Sequence, residues 1–368
     1  MSKEKSTKSK IHFYSNLLFS FLSEYTKKEN INIPGKSVKK TSNSRPLKKL
    51  KIYFYSPLNP RGLNSAGTTV VIVEMLVELQ KKIKSLSIPW DVVFSNHYPK
   101  SKVDYLVCFK SLAPKKIIGN PKIILSICDE GENFWSFLGG FHAVVVSSSR
   151  PFYNLVKKKN KNTFYISEAE SKNYLDFGFK NIRKIPSKKL YNLLWHGGPN
   201  SISGLLPLKP FLVELAKKYP LNLYIVSGYK PKHQYHWGSM KIFHYPWSPQ
   251  AMKTCASKSA LGIIPSRGTL RTSFLKPASR VRALYALGVP TIGDSRVPDV
   301  VEFTSHFDGP TAKTPKEFVE KIEKFFNHPK MLNEIAIKGF KTVKERYHNE
   351  LSANQWINFF LEQEKNSN

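Results

Sequence analysis

The stretch "LKPASRVRALYALGVPTIGD", residues 275–294, decides the fold. It opens on a basic, hydroxyl-bearing cluster, Lys276, Ser279 and Arg280, with Pro277 suited to the first turn of a helix. A short apolar helical pattern follows and ends at Gly288, and Pro290–Asp294 then reads as a short buried strand. Upstream, "ALGIIPSRGTLRTSF" leaves another buried strand at Ser266 and adds Arg267 and Arg271. A helix N-terminus carries free N–H groups and partial positive charge, so it favours anionic neighbours. Residues 266–282 contain no acid, only cations. Such an N-terminus is stabilised by a bound phosphate. The plainer reading is that these cations are solvated or meet a neighbouring carboxylate.

Outward from this stretch, strand and helix patterns alternate along the chain. "KIYFYS", "WDVVFSN", "VDYLVCF", "KIILSIC" and "FHAVVVSS" are short, β-branched-rich runs separated by helical or loop segments. Continuous apolar strands of this kind belong to a parallel sheet buried on both faces. A second series begins at "YNLLWHGG" and continues through "LKPFLVELAKKYP", "LNLYIVSGY", "MKIFHYPWS", "PQAMKTCASKS" and "ALGIIPS" to the opening stretch. The fold class is therefore α/β, with two doubly wound, Rossmann-like domains facing each other across a cleft, plus a basic N-terminal extension. The expected boundaries are an extension and linker over 1–46, a first domain over 47–187 and a second over 188–349. The helix at 350–368 is expected to pack back on the first domain.

The 368 residues, 41% hydrophobic and 13% aromatic, suffice for two buried cores. Formal net charge is +32, from 58 Lys and Arg against 26 Asp and Glu, which attracts anionic partners. The cations are scattered rather than aligned with interleaved aromatics, so a nucleic-acid-binding protein is the least favoured reading and no nucleic-acid partner is expected. Cys108, Cys128 and Cys255 are far apart and without metal-ligand spacing, as in a reducing cytosol. No apolar run reaches the roughly 18 residues that span a bilayer, and the island Ile11–Tyr25 lacks a signal-peptide cleavage site. That island fits an amphipathic helix on an anionic membrane surface and a helix docked on its own domain equally well. The location expected is cytoplasmic, peripheral on the inner face of the membrane.

"KPASRVRALYALGVPTIGD" resembles the K-x-x-N/S-R…A-L-G-x-P segment of nucleotide-sugar-dependent glycosyltransferases of the GT-B fold, group 1, family-4 type. "YPWSPQAMKTCASKSALGIIPS" and "LLWHGGPNSISGLLPLKPFLVELAKKYPLNLYIVSG" are similar to its neighbouring segments. The resemblance covers residues 188–305 well and the first half by pattern. It implies transfer of a sugar from a nucleotide-diphosphate sugar to a glycan or lipid-linked acceptor, with retention and without metal, no cofactor being needed. Lys276 and Arg280 would then stabilise the departing diphosphate, and His142 would reach the cleft as a catalytic residue. His196 ends the first strand of the second series, and the glycines after it, Gly197 and Gly198, would let the backbone approach the diphosphate. Lys209, Arg267, Arg271 and Ser279 would complete the donor site. Gly67, Asp129 and Glu130 would face the acceptor; a Gly-rich turn and a helix cap are their plainer readings, as a structural histidine is that of His142. Two departures stand out. Ala283 occupies the position of a glutamate that holds the nucleotide ribose in the family, and the Arg expected after "HGG" is missing. A catalytically inactive scaffold that binds a glycan or protein partner is the alternative these departures raise.

Overall fold

The computed structural model describes residues 47–56, 65–95, 97–109, 111, 117–128, 134–182, 190–228, 233–266 and 275–366. The island Ile11–Tyr25, Asp129, Glu130, Arg267 and Arg271 lie outside the described residues.

The first sheet contains β1 (Leu50–Tyr55), β2 (Trp90–Ser95), β3 (Tyr105–Phe109), β4 (Lys122–Ile127), β5 (Ala143–Val146) and β6 (Thr163–Tyr165), in the order β2-β1-β3-β4-β5-β6. Every pairing is parallel, with Phe54 opposite Phe94 on one side and Val107 on the other. Runs such as Tyr105-Leu-Val-Cys are buried throughout because helices cover both faces. Helix α1 (Ser65–Ser85) packs Leu76 and Leu79 against one face, whereas α2 (Phe134–Phe137) leads through a tight turn toward the other. There α3 (Arg150–Lys159) packs Phe152 and Val156 on Leu125 and Val144. Helix α1 begins at Ser65, so Gly67 lies in its first turn rather than in the loop expected to run to Thr68.

The second sheet contains β7 (Asn192–Gly197), β8 (Asn222–Ser227), β9 (His233–Trp237), β10 (Met240–Tyr245), β11 (Leu261–Ile264), β12 (Thr291–Asp294) and β13 (Thr311–Ala312). Its order is β13-β12-β11-β7-β8-β10-β9. All pairs are parallel except β9 with β10, an edge hairpin whose turn places Gly238 at φ +58°. Its helices are α5 (Lys209–Lys218), α6 (Pro249–Lys258), α7 (Ser279–Ala286), α8 (Pro298–Ser305), α9 (Pro315–Asn327) and α10 (Pro329–Arg346). These are two doubly wound α/β units, as the sequence implies.

Helix packing does not follow chain order. Helix α4 (Lys172–Asn181) ends the first series, yet Tyr174 is buried in the core of the second sheet. Gly178 makes this possible: a Cβ there would collide with the carbonyl of Ala286, at the end of α7. Conversely, the last helix, α11 (Asn349–Lys365), returns to the first sheet. Its Phe360 ring lies 5.2 Å from Tyr105 and 5.9 Å from Trp90, and Trp356 lies 5.3 Å from Phe54. The chain therefore changes cores near Ser171 and again near Tyr347, the first change preceding the boundary expected at residue 187.

Candidate functional site

A doubly wound sheet binds ligands outside the carboxyl ends of its strands, where strand order reverses. In the second sheet that point is β7, flanked by β8 on one side and β11 on the other. Strand β7 ends in His196 and Gly197; β11 runs out through Pro265 to Ser266; and β12 ends at Asp294. Helix α7 packs over these strands with its amino end at the same place.

Arg280, in the first turn of α7, fills the space a side chain at position 197 would need. A Cβ on Gly197 would lie 3.0 Å from Arg280 Nη1 and 3.0 Å from Trp195 Cζ2. The guanidinium Nη1 is buried and has no hydrogen-bond partner among the described residues. Burial pulls the Arg280 pKa down to about 10, with Asp294 acting in the opposite sense. The group remains a cation at neutral pH, but with a donor left unmet. Leaving a buried donor unsatisfied costs about 1–3 kcal/mol, more when the group is charged, and a native structure keeps such a group for a reason.

His196 and Asp294 are satisfied and hold the turn in place, whereas Trp195 Nε1, like Arg280 Nη1, is buried with no hydrogen-bond partner among the described residues. His196 Nε2–H donates to the Arg280 carbonyl at 2.9 Å. Burial lowers the His196 pKa to about 4, so the imidazole is neutral and acts as a fixed strut. Asp294 accepts the Ser266 N–H at 2.7 Å and pairs with Arg296 at 2.6 Å, which makes it a poor competitor for Arg280. The ladder of α7 starts with the N–H groups of Val281 and Arg282, so those of Ser279 and Arg280 precede it. The helix begins at Ser279, with Pro277 just before its cap rather than in its first turn.

One expectation is corrected here. The cationic N-terminus does have an acid: Asp299, from α8, accepts the Ala278 N–H at 2.5 Å and meets Arg282 Nη1 at 3.5 Å. It lies outside the acid-free run 266–282, so local sequence did not reveal it. Asp299 neutralises Arg282, not Arg280. Arg282 in turn reaches across to the first series, bonding Glu170 at 3.1 Å and lying 3.6 Å from Glu168, with its guanidinium 4.5 Å above the Tyr347 ring. Leu275, just before half-buried Lys276, is buried in the cluster formed by Leu125, Val144 and Phe152 of the first sheet. The mouth of α7 thus sits between the two cores.

The structure therefore brings Gly197, Gly198, Ser279 and Arg280 together at the carboxyl end of β7, with half-buried Lys276 just before α7. It does not bring His142 or Lys209 there. His142 precedes β5, at the amino-terminal edge of the first sheet, where its Nε2 lies 3.0 Å from Gln363 Oε1 of α11. The cleft-facing role expected for His142 required the carboxyl-terminal edge, and a residue that opens a parallel strand lies at the other one. Lys209 is exposed, with its ammonium 5.6 Å from the Trp237 ring on the edge hairpin, three strands from β7. Asp294, Arg296 and Asp299 escaped the sequence reading. The signal for Asp294 was present, since a carboxylate ending a buried strand faces the crevice. No group of three His, Cys, Asp or Glu side chains among the described residues is placed to hold a metal ion.

The sequence matches no family model and no curated protein. Solved structures do match. A glycosyltransferase from Rickettsia africae superposes over 85% of this chain and 98% of its own, at TM-score 0.59 and 16% identity. Sucrose-phosphate synthase from Thermosynechococcus elongatus matches over 85% and 99%, at 0.57 and 10%. HepE of Anabaena, solved with UDP and glucose, matches over 85% and 100%, at 0.52 and 11%. With two doubly wound, largely parallel sheets and these structural likenesses, this chain has the GT-B glycosyltransferase fold.

Proposed function

We propose that the chain transfers a sugar from a nucleotide-diphosphate sugar to a glycan or lipid-linked acceptor, with the diphosphate bound at the mouth of α7. The observation that carries this reading is the buried, unpartnered Nη1 of Arg280 lying on Gly197 at the reversal point of the second sheet. A diphosphate oxygen there would receive a charge-assisted hydrogen bond. Gly197 makes room for that guanidinium, Gly198 follows it at the end of β7, and the N–H groups of Ser279 and Arg280, which precede the helix ladder, add to the positive field. As the sugar–phosphate bond breaks, charge accumulates on the leaving oxygens, and donors already fixed in place stabilise that charge without reorganising. His196 keeps Arg280 in register by holding its carbonyl. In the retaining, metal-free course we favour, the leaving phosphate itself takes the proton of the acceptor hydroxyl.

The test is binding and turnover with UDP-, GDP- and dTDP-sugars, followed by calorimetry and product chromatography on the parent and on Arg280→Gln. The parent is expected to bind one nucleotide class and release the free nucleotide, and the variant to bind it at least tenfold more weakly, since a hydrogen bond to a charged group contributes about 1.5–3 kcal/mol. A parent that binds none of them would remove the reading. Ala283 supports a second one, an inactive scaffold: it is a half-buried methyl packed on the core, where the resembling enzymes carry a carboxylate. Saturable binding without turnover is its signature.

A further inference from the structure

All strands of the first sheet run the same way, so the connections entering them emerge together at the edge opposite the crevice. Large apolar side chains stand exposed in those connections. Leu47 precedes β1, Leu86 precedes β2, Ile118 precedes β4 and Phe137 lies before the turn into β5; they are 48%, 53%, 53% and 48% exposed. Two contacts join neighbouring connections into one surface. The Lys102 stem lies 3.1 Å from where a Cβ on Gly119 would be, linking the entries to β3 and β4. Asn160 Nδ2 donates to the Leu138 and Phe141 carbonyls at 2.9 Å, linking those to β5 and β6.

Cations alternate with these apolar tips. Lys84 and Lys102 enter β2 and β3, and Lys158, Lys159 and Lys161 lead into β6; all five are exposed, and none pairs with a carboxylate among the described residues. Residues 134–167 contain no Asp or Glu. Of the carboxylates at this edge, Asp104 accepts the Lys51 N–H and Glu364 lies between Lys48 and Lys122, leaving Asp91 and Glu362 exposed. Isolated exposed apolar residues are ordinary; four of them interleaved with unpaired lysines along one edge ask for a partner that takes both. A polyanion such as RNA would take the charges and leave the aliphatic tips in water. An anionic bilayer takes the lysines at its headgroups and the apolar tips just beneath.

We propose that the amino-terminal edge of the first sheet is a docking face for an anionic lipid bilayer. This stands apart from the glycosyl-transfer reading and from the extension at residues 1–46. Where that reading also holds, the crevice sits one strand length, about 20 Å, from the headgroups. The acceptor is then the distal end of a chain and not a headgroup.

The experiment is co-sedimentation of the full chain with vesicles of phosphatidylcholine, with and without phosphatidylglycerol. The parent is expected to bind only the anionic vesicles. Lys158→Glu/Lys159→Glu/Lys161→Glu should bind about a hundredfold more weakly, at about 1 kcal/mol per cation lost. Leu86→Ser/Ile118→Ser/Phe137→Ser should retain binding at low salt and lose it at high salt. Lys324→Glu/Lys330→Glu/Lys338→Glu, the same charge change on the second unit, should bind like the parent. The proposal is overturned if the edge and control triples bind alike. It is also overturned if only deletion of residues 1–46 abolishes binding, or if that deletion creates binding the parent lacks, since the extension then covers the edge. Loss of RNA binding without vesicle binding would make the face a nucleic-acid surface instead.

Discussion

At the residue scale, the crevice is held by a neutral histidine. The pKa of His196 falls from 6.5 to about 4 because burial disfavours its charged form. Between those values the unfolded chain binds the proton and the folded chain does not. The stability that His196 contributes is thus complete above pH 6.5 and lost as pH falls toward 4, by roughly 3 kcal/mol at most. Urea midpoints at pH 7 and pH 4.5 should therefore drop more steeply in the parent than in His196→Gln, whose amide can still donate to the Arg280 carbonyl. Equal slopes would show that His196 titrates normally. The places of Arg280 and its glycines were legible in the sequence because the signals are local: cations at a helix mouth, and glycines closing a strand. His142 was misplaced because a residue's position at one edge or the other follows from strand direction, which no single residue displays. Asp299 was missed because it arrives from a helix 19 residues beyond Arg280.

At the element scale, apolar runs named the strands because both faces of each sheet are covered, leaving little alternation to misread. Edge strand β9 escaped, since "HQYHW" is half-exposed and polar enough to pass for loop. What periodicity could not give is the partner of a helix. The α4 and α11 patterns show an apolar stripe, and nothing in a stripe says which sheet it will cover. Helix α11 matters most here. Phe360 is fully buried, with its ring against Trp90, Tyr105 and Trp356. Phe360→Ala should cost about 3–5 kcal/mol through lost burial and the cavity left behind. That loss should appear in the unfolding of the first unit, followed by hydrogen exchange in β1 and β3, while amides of β7 and β8 keep their protection. Uniform loss of protection in both sheets would mean that the two cores unfold as one.

At the scale of the whole molecule, the two units meet through one buried cation. Arg282 is 2% exposed and faces Glu168 and Glu170 from the first series and Asp299 from the second, while Glu74 of α1 accepts from Ser171 and the Lys172 N–H beside them. These carboxylates outnumber the guanidinium. Burial raises the Glu170 pKa from 4.5 to about 8, with Glu168 and Glu74 adding to the rise and Arg282 opposing it. A carboxylate raised in the folded state favours folding at low pH and loses that advantage as pH climbs from 4.5 through 8, opposite in sign to His196. Removing Arg282 strands the acids. Arg282→Leu should cost about 3–5 kcal/mol at neutral pH, because breaking a buried pair leaves uncompensated charge. The deficit should grow above pH 8, where Glu170 would ionise, and shrink below it as Glu170 keeps its proton, and Arg282→Leu/Glu170→Gln should recover part of it at pH 9. Scanning calorimetry reads both effects, the first as a lowered melting temperature of the single variant and the second as its partial return in the double variant. If Arg282→Leu melts like the parent at pH 8, the guanidinium does not join the units, and the contacts of Leu275 and α4 carry the interface alone.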